Sequence, residues 1–178
     1  KAPAINVDET SMRVDKLNHW LHVYSAGDIT LKFLHQKRGK AAIISIDIIP
    51  RYGGTIIHDC WASYLSYLHC GHGLCGSHLL RELTFIFESN DYDWAQNMKH
   101  LLQEACIKVS NSEEKRLADA DLVNLHTRYR AILTSGAKEL PVIPPKPSGK
   151  RGKLAKSAAH NLLERMQTQE VSVLLFAK

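Results

Sequence analysis

The chain has 178 residues and a mass of 20.0 kDa, which suits one domain or one domain with an appendage. Hydrophobic residues make up 44% and charged residues 23%, so a folded globular protein is expected rather than a disordered one. No run approaches the roughly eighteen apolar residues of a membrane span, and the first residues lack a signal-peptide core. The four cysteines are too few for a disulfide scaffold, so we expect reduced thiols in the cytoplasm.

Basic residues are concentrated late in the chain. The net charge is +5 and the isoelectric point is near 9.0, which permits a polyanionic partner. The segment of residues 144–156 contains five cations and no acid, and its prolines and glycines disfavour regular structure. Two interpretations stay open: a solvated linker, or a flexible arm that contacts DNA phosphates through Lys150, Arg151 and Lys153.

The first third of the chain has the composition of β-strands. Strands are predicted at Ala4–Glu9, at His19–Ala26 and at Ile29–His35, and a turn at residues 26–28 joins the second to the third. Strands that follow one another through short turns pair antiparallel. We therefore expect a three-stranded antiparallel meander.

Helices and strands alternate in the next part. Apolar spacing predicts a helix at Lys40–Ile48, a buried strand at Thr55–Cys60, a helix at Trp61–Leu68, a short strand at His72–Gly76 and a helix at Ser77–Ser89. The order β-β-β-α-β-α-β-α is typical of an RNase H-like fold. The predicted fold class is thus α/β, with a mixed sheet that has three antiparallel strands, flanking helices and a helical insertion.

The rest of the chain is predicted to be mostly helical. Residues 91–140 carry apolar side chains at spacings of three and four, and Val171–Phe176 has the composition of a strand. The predicted organisation is a catalytic core at 1–90, a helical insertion at 91–140, a basic Pro/Gly linker at 141–156, and a return toward the core at 157–178.

Two aspartates end predicted apolar strands. Asp8 lies at the end of the first strand and Asp59 at the end of the buried strand, where an acid is costly unless it is paired or binds metal. If the strands are neighbours, the carboxylates repel unless a cation lies between them, and oxygen ligands suit Mg²⁺ or Mn²⁺. The alternative is that Asp8 caps a turn and Asp59 caps a helix. Glu9 must point away from Asp8, because side chains alternate along a strand, so we select Asp8.

Other polar residues surround the second acid in the sequence. Cys70 and Cys75, with His72 or His78, have a spacing close to that of zinc sites. In the alternative interpretation, Cys75 and His78 begin a helix and orient the segment beside the acids. Arg81 on that helix would bind a DNA phosphate or form an ordinary surface ion pair.

Five short phrases support a family resemblance. They are Val-Asp-Glu-Thr at 7–10, His-Trp-Leu-His-Val at 19–23, Lys-Arg-Gly at 37–39, His-Asp-Cys-Trp-Ala-Ser-Tyr at 58–64 and Cys-Gly-Ser-His-Leu-Leu-Arg-Glu-Leu at 75–83. In this order they resemble the central domain of bacterial insertion-sequence transposases of the insertion sequence 66 family. The resemblance extends from about residue 4 to residue 105.

The resemblance implies a DDE core that binds two divalent metals. The first aspartate would be Asp8 and the second Asp59, with Mg²⁺ or Mn²⁺ as cofactor. The third acid belongs to an Asn-Asn-x-Ala-Glu-Arg-like phrase that this chain does not contain, and neither Glu164 nor Glu170 lies in a matching motif. We therefore expect a fragment that lacks the third acid and is inactive alone.

The same resemblance implies an activity and partners for the full-length enzyme. It would cleave DNA strands and transfer them, acting on transposon ends and target DNA, with homo-oligomers possible and no membrane association. The alternative is a non-catalytic module that binds nucleic acid or protein on the same scaffold.

Overall fold

The computed structural model describes residues 2–143 and 156–178. It divides into two compact units, Lys1–Cys75 and Gly76–Lys178. We call these the N-terminal unit and the C-terminal unit. The basic segment that contains Lys150, Arg151 and Lys153 lies outside the described residues.

The N-terminal unit is built on one mixed sheet with the strand order β3-β2-β1-β4-β5. Its strands are β1 (Ala4–Val14), β2 (Leu17–Ala26), β3 (Ile29–His35), β4 (Thr55–His58) and β5 (Gly71–Leu74). The first three pair antiparallel, whereas β4 pairs in parallel with β1 on one side and with β5 on the other. The long central strand β1 thus carries a meander on one edge and parallel strands on the other.

The predicted mixed α/β fold is confirmed, and so is the antiparallel meander. The sheet pattern differs from a sheet of three antiparallel strands, since the described residues form five strands, and the two further ones lie where short strands are predicted at Thr55–Cys60 and His72–Gly76. The two additional strands have only four residues each, and they join the sheet through parallel pairing with β1 and with each other.

Tight turns determine the register of the meander. Asp15 and Lys16 both adopt positive φ angles, 49° and 65°, which closes a two-residue hairpin between the paired residues Val14 and Leu17. Gly27 has a φ of 53° in the second hairpin. Because a one-residue slip would turn every side chain to the other face, these turns also fix which side chains of β1 and β2 are buried.

Short helices cover one face of this sheet. They are α1 (Lys40–Ile46), a 3₁₀ helix (Ile49–Arg51) and α2 (Ala62–Leu65). Residues from strands and helices together form the hydrophobic core of the unit, which contains Ile5, Val7, Tyr24, Ile43, Ile49, Tyr52, Ile56, Tyr64, Tyr67 and Cys70. The face of the sheet that points into this core is therefore the one that carries Ile5 and Val7.

The C-terminal unit is helical. Its elements are α3 (Gly76–Asn90), α4 (Asp93–Asn111), α5 (Asp119–Glu139), α6 (Ala158–Thr168), α7 (Glu170–Val173) and a 3₁₀ helix (Leu175–Ala177). Helix α4 packs against α3 and α5, and α6 packs against α3 and α5. No helix in residues 2–143 and 156–178 has both the length and the apolar character needed to cross a membrane.

The strand predicted at Val171–Phe176 is wrong, because these residues form α7 and the 3₁₀ helix. Val173 and Leu174 are buried, and the carbonyl of Ala177 accepts the N–H of Leu117 at 2.9 Å. A short apolar run does not distinguish a buried strand from a buried helical turn, so packing in the helical unit determines its conformation.

A close backbone approach joins α4 and α5. Trp94 is fully buried, and its indole lies against Gly136, where a Cβ atom would come within 2.7 Å of the ring carbon Cγ. Leu163 Cδ1 would lie 3.0 Å from the same Cβ atom. Glycine at this position therefore leaves the space that the tryptophan ring and the leucine of α6 occupy.

Candidate functional site

Asp8 lies on β1, and Asp59 immediately follows the neighbouring parallel strand β4. The ladder between β1 and β4 pairs Ala4 with Thr55, and its last pair is Asn6 with Ile57. If this register continued by two residues, it would bring Asp8 opposite Asp59. The prediction that Asp8 ends its strand is wrong, because β1 continues to Val14 through its pairing with β2. What ends near Asp8 is the parallel ladder.

Asp8 lies on the face of the sheet opposite the core. Val7, the residue immediately before it, is buried, and alternation along β1 turns the next side chain to the other side. Asp8 is exposed and Asp59 is half-buried. Since neighbouring strands are about 4.8 Å apart, a register that continued to Asp8 and Asp59 would bring both carboxylates within reach of one cation.

The local contacts of the two acids differ. Asp8 Oδ1 accepts the N–H of Glu9 at 2.9 Å within the strand, so Asp8 does not cap a turn. Asp59 Oδ1 accepts the N–H of Trp61 at 2.9 Å, which is a turn contact just before α2. Each contact engages one of the carboxylate oxygens, and a carboxylate can accept several bonds.

Glu9 points into the core, on the face opposite Asp8. Its side chain is 1% exposed, and Arg38 Nε and Nη2 both lie 2.8 Å from Oε1. The hydroxyl of Tyr64 donates to Oε2 at 2.5 Å. Burial, together with this bond to Glu9, raises the pKa of the Tyr64 hydroxyl well above its usual range. Glu9 therefore serves as a buried anchor within the sheet.

Arg38 also lies between two indole rings. Its guanidinium carbon is 4.9 Å from the ring centroid of Trp20 and 4.4 Å from that of Trp61. Cations within about 6 Å of an aromatic face are attracted by the ring. In the sequence, the Lys-Arg-Gly segment stands out only as part of a family phrase, and neither this cluster nor the role of Glu9 follows from residue spacing.

A hydrogen-bonded histidine pair supports the backbone around Asp59. The N–H of Cys60 donates to His58 Nδ1 at 3.0 Å, so the proton of this neutral ring is on Nε2. His58 Nε2 then donates to His72 Nδ1 at 3.0 Å, and His72 Nε2 donates to the carbonyl of Tyr67 at 3.2 Å. Burial lowers the pKa of His58 to about 4, with His72 acting in the same direction and Asp59 opposing it.

The other predicted site residues do not join the two aspartates in the contacts of the described residues. The backbone N–H of Cys75 donates to the carbonyl of His58 at 2.8 Å, after β5. His78 and Arg81 are on α3 of the C-terminal unit, half-buried and exposed respectively. The roles of Cys75, His78 and Arg81 stay predictions.

Two glutamates near the end of the chain form ion pairs within the C-terminal unit. Glu170 accepts Arg130 Nε at 3.0 Å with both oxygens and contacts His126 Nδ1 at 2.6 Å. Glu164 pairs with Lys156 at 2.5 Å. These contacts link α5 to α7 and fix the start of α6.

The donor chemistry of the aspartate pair fits a hard divalent cation. Carboxylate oxygens are the ligands that Mg²⁺ accepts, and it binds through one or two of them while it keeps several waters. Among residues 2–143 and 156–178, no group of three or more His, Cys, Asp or Glu side chains could hold a metal ion. Asp8 and Asp59 by themselves would supply two protein ligands and not a closed cage.

The whole sequence matches one family. The family model described as "Transposase IS66 family" matches residues 1–178. The chain belongs to the IS66 family of transposases. The resemblance inferred from the five phrases is therefore confirmed, and a transposase-related role for this IS66-family domain follows from it. None of the curated proteins matches the sequence.

One solved structure is similar to the domain at low identity. A chain in the structure titled "CryoEM structure of simian T-cell lymphotropic virus intasome in complex with PP2A regulatory subunit B56 gamma" matches 86% of this chain, with 15% identity and a TM-score of 0.33. The IS66-family chain spans 60% of the length of that chain. A likeness this distant bears on neither the fold class nor the function.

Proposed function

We propose that Asp8 and Asp59 are the first two acids of a DDE site in an RNase H-like core that cleaves and joins DNA strands during transposition. The observation that supports this proposal is the parallel pairing of β1 with β4, because Asp8 and Asp59 both follow the end of that ladder. Membership of a transposase family supports it. Transposon ends and target DNA are the proposed partners.

In this proposal the two carboxylates would hold Mg²⁺ or Mn²⁺ against the DNA. The bound cations would supply Lewis-acid stabilisation of the charge on the phosphodiester oxygens. The hydrogen bond from the N–H of Trp61 holds one oxygen of Asp59 in position. Positioning of this kind contributes a large part of the rate in phosphoryl transfer. Arg81, which is exposed on α3, is proposed to contact a DNA phosphate.

The metal-binding part of the proposal predicts a loss of Mn²⁺ affinity in two variants. Asp8→Asn and Asp59→Asn should each raise the Mn²⁺ dissociation constant at least about tenfold, because even the removal of an indirect partner of a metal ligand costs about 10- to 100-fold. Titration followed by the electron paramagnetic resonance of free Mn²⁺ measures it. Asp28→Asn is the matched control, since Asp28 is exposed in the β2–β3 turn.

The same titration separates the proposal from its alternative. The alternative is a module that binds nucleic acid or protein without catalysis. Such a module has no need for a cation between Asp8 and Asp59. Equal Mn²⁺ affinities in Asp59→Asn and Asp28→Asn would therefore rule out the DDE assignment and favour the module.

DNA binding by this chain is expected to be weak, independent of sequence and strongly dependent on salt, because phosphate contacts release counterions. Replacing Lys150, Arg151 and Lys153 with Ala should lower the affinity. It should also reduce the slope of log affinity against log salt by about 0.9 for each phosphate that is no longer neutralised. Fluorescence anisotropy with a labelled duplex at several salt concentrations measures both quantities.

The control for that experiment removes the same number of charges from the helices. It replaces Lys99, Lys108 and Lys138 with Ala, and these residues lie on α4 and α5. An equal change of slope in the two triple variants would mean that only net charge matters. The basic segment would then be a linker that makes no specific bonds to phosphates.

A further inference from the structure

We propose that Arg38 is a positioning residue for Asp59, holding the segment from Asp59 to Trp61 in the conformation that presents the carboxylate. This inference rests on the proposed function, since it assigns Arg38 to the same cation site. Among the contacts of the described residues, none joins Arg38 directly to Asp59. The effect of Arg38 is transmitted through Trp61.

The first step is the anchoring of Arg38 by the central strand. Glu9 on β1 is almost completely buried, and two nitrogens of the guanidinium reach its Oε1 at 2.8 Å. A buried carboxylate needs a charged or hydrogen-bonding partner, and Tyr64 supplies the second bond, to Oε2. The Arg38 guanidinium is thereby fixed in position relative to the sheet.

The second step is the contact from Arg38 to the start of α2. The guanidinium stacks between Trp20 of β2 and Trp61, with centroid distances of 4.9 Å and 4.4 Å. Its flat shape allows both rings to approach, which the compact ammonium of a lysine does not reproduce. The Arg38 side chain is 41% exposed, so filling the core does not explain its place.

The third step joins Trp61 to the aspartate. The backbone N–H of Trp61 donates to Asp59 Oδ1 at 2.9 Å, and the intervening Cys60 has a φ of 73°. A residue other than glycine in this left-handed conformation persists only where its surroundings hold it. His58 Nδ1 accepts the backbone N–H of Cys60 and so holds Cys60 in place. The indole of Trp61, against the Arg38 guanidinium, holds the other end of the segment.

The test replaces Arg38 with Lys in the full chain. The lysine keeps a positive charge for Glu9 and removes the flat surface between the indoles. We expect the Mn²⁺ dissociation constant to rise about tenfold, while the urea midpoint stays close to that of the wild type. The amide proton resonance of Trp61 should shift upfield as its bond to Asp59 weakens, a change that a merely structural role would not produce.

Arg51→Lys is the matched control. Arg51 belongs to the same unit and forms an ion pair with Asp47 four residues earlier, away from the Asp59 segment. This variant should leave both the Mn²⁺ affinity and the Trp61 resonance unchanged. A shift of equal size in Arg51→Lys would overturn the proposal.

A second variant keeps the test decisive if Arg38→Lys does not fold. Trp61→Leu removes the stacked ring and retains the backbone amide, and we expect the same decrease of Mn²⁺ affinity. Where both single variants fold, the double variant should add little to either effect, because both act through one stacked pair. Independent, additive effects would overturn the proposal.

Failure of this inference is distinguishable from failure of the proposed function. If Asp59→Asn weakens Mn²⁺ binding while Arg38→Lys and Trp61→Leu bind as the wild type does, the positioning role is overturned and the metal site stands. If Asp59→Asn has no effect, the metal site is overturned. The Trp61 resonance in Arg38→Lys then decides the positioning role alone, and an unmoved resonance overturns it.

Discussion

Gly136→Val is expected to destabilise the C-terminal unit by about 3 kcal/mol, the upper end of the cost of overpacking a core. The first added carbon would lie 2.7 Å from Cγ and 2.9 Å from Cδ2 of Trp94, closer than real Cβ contacts come. Trp94 cannot move aside easily, because it is fully buried and its backbone N–H is bonded to Glu139. Leu163 confines the same space from α6.

Gly136→Ala tests the same contact through the direction of its effect on the free energy of unfolding. In a free helix, Gly→Ala stabilises by about 1 kcal/mol, whereas Gly136→Ala should destabilise. Urea unfolding followed by circular dichroism measures both variants. Gly76→Val is the control, because a Cβ atom at Gly76 of α3 would meet no atom within 4 Å. Equal unfolding free energies in the Gly76 and Gly136 valine variants would contradict the close-packing argument.

The meander is accessible from the sequence because it depends on local rules. Strands joined by two-residue turns pair antiparallel, and the period of two determines which side chains share a face. That period also predicts that Asp8 and Glu9 point to opposite faces, and Glu9 is buried whereas Asp8 is exposed. The apolar pattern predicts too short a first strand, because the continuation of β1 to Val14 depends on pairing with β2.

The Glu9–Arg38 anchor was not accessible in the same way. Glu9 follows Ile5 and Val7 on the buried face of β1, and a charge in that series predicts a partner. The sequence does not say which partner, because the chain has 23 lysines and arginines and Arg38 lies 29 residues away. Contacts between residues this far apart in the sequence depend on the tertiary fold and not on local spacing.

The stability of the N-terminal unit is expected to fall by about 2 kcal/mol between about pH 7 and pH 5, owing to His58 alone. Burial holds the pKa of His58 at about 4 in the folded state, against its usual 6.5. Between these values the unfolded chain binds more protons than the folded one, so stability rises with pH. The contribution is complete above about pH 6.5 and is lost as the pH falls toward about 4.

Urea unfolding at several pH values, without added metal, measures this dependence, and His58→Asn should flatten it between about pH 5 and pH 7. Asparagine can still accept the Cys60 N–H, so the variant should fold with lower stability, and the slope rather than the midpoint is diagnostic. His100→Gln, at an exposed position of α4, should keep the wild-type slope.

In nuclear magnetic resonance titrations, the ring proton of His58 should stay unshifted over the same interval. A His58 resonance that titrates near its usual pKa of 6.5, or equal slopes in wild type and His58→Asn, would contradict the neutral buried ring that donates to His72.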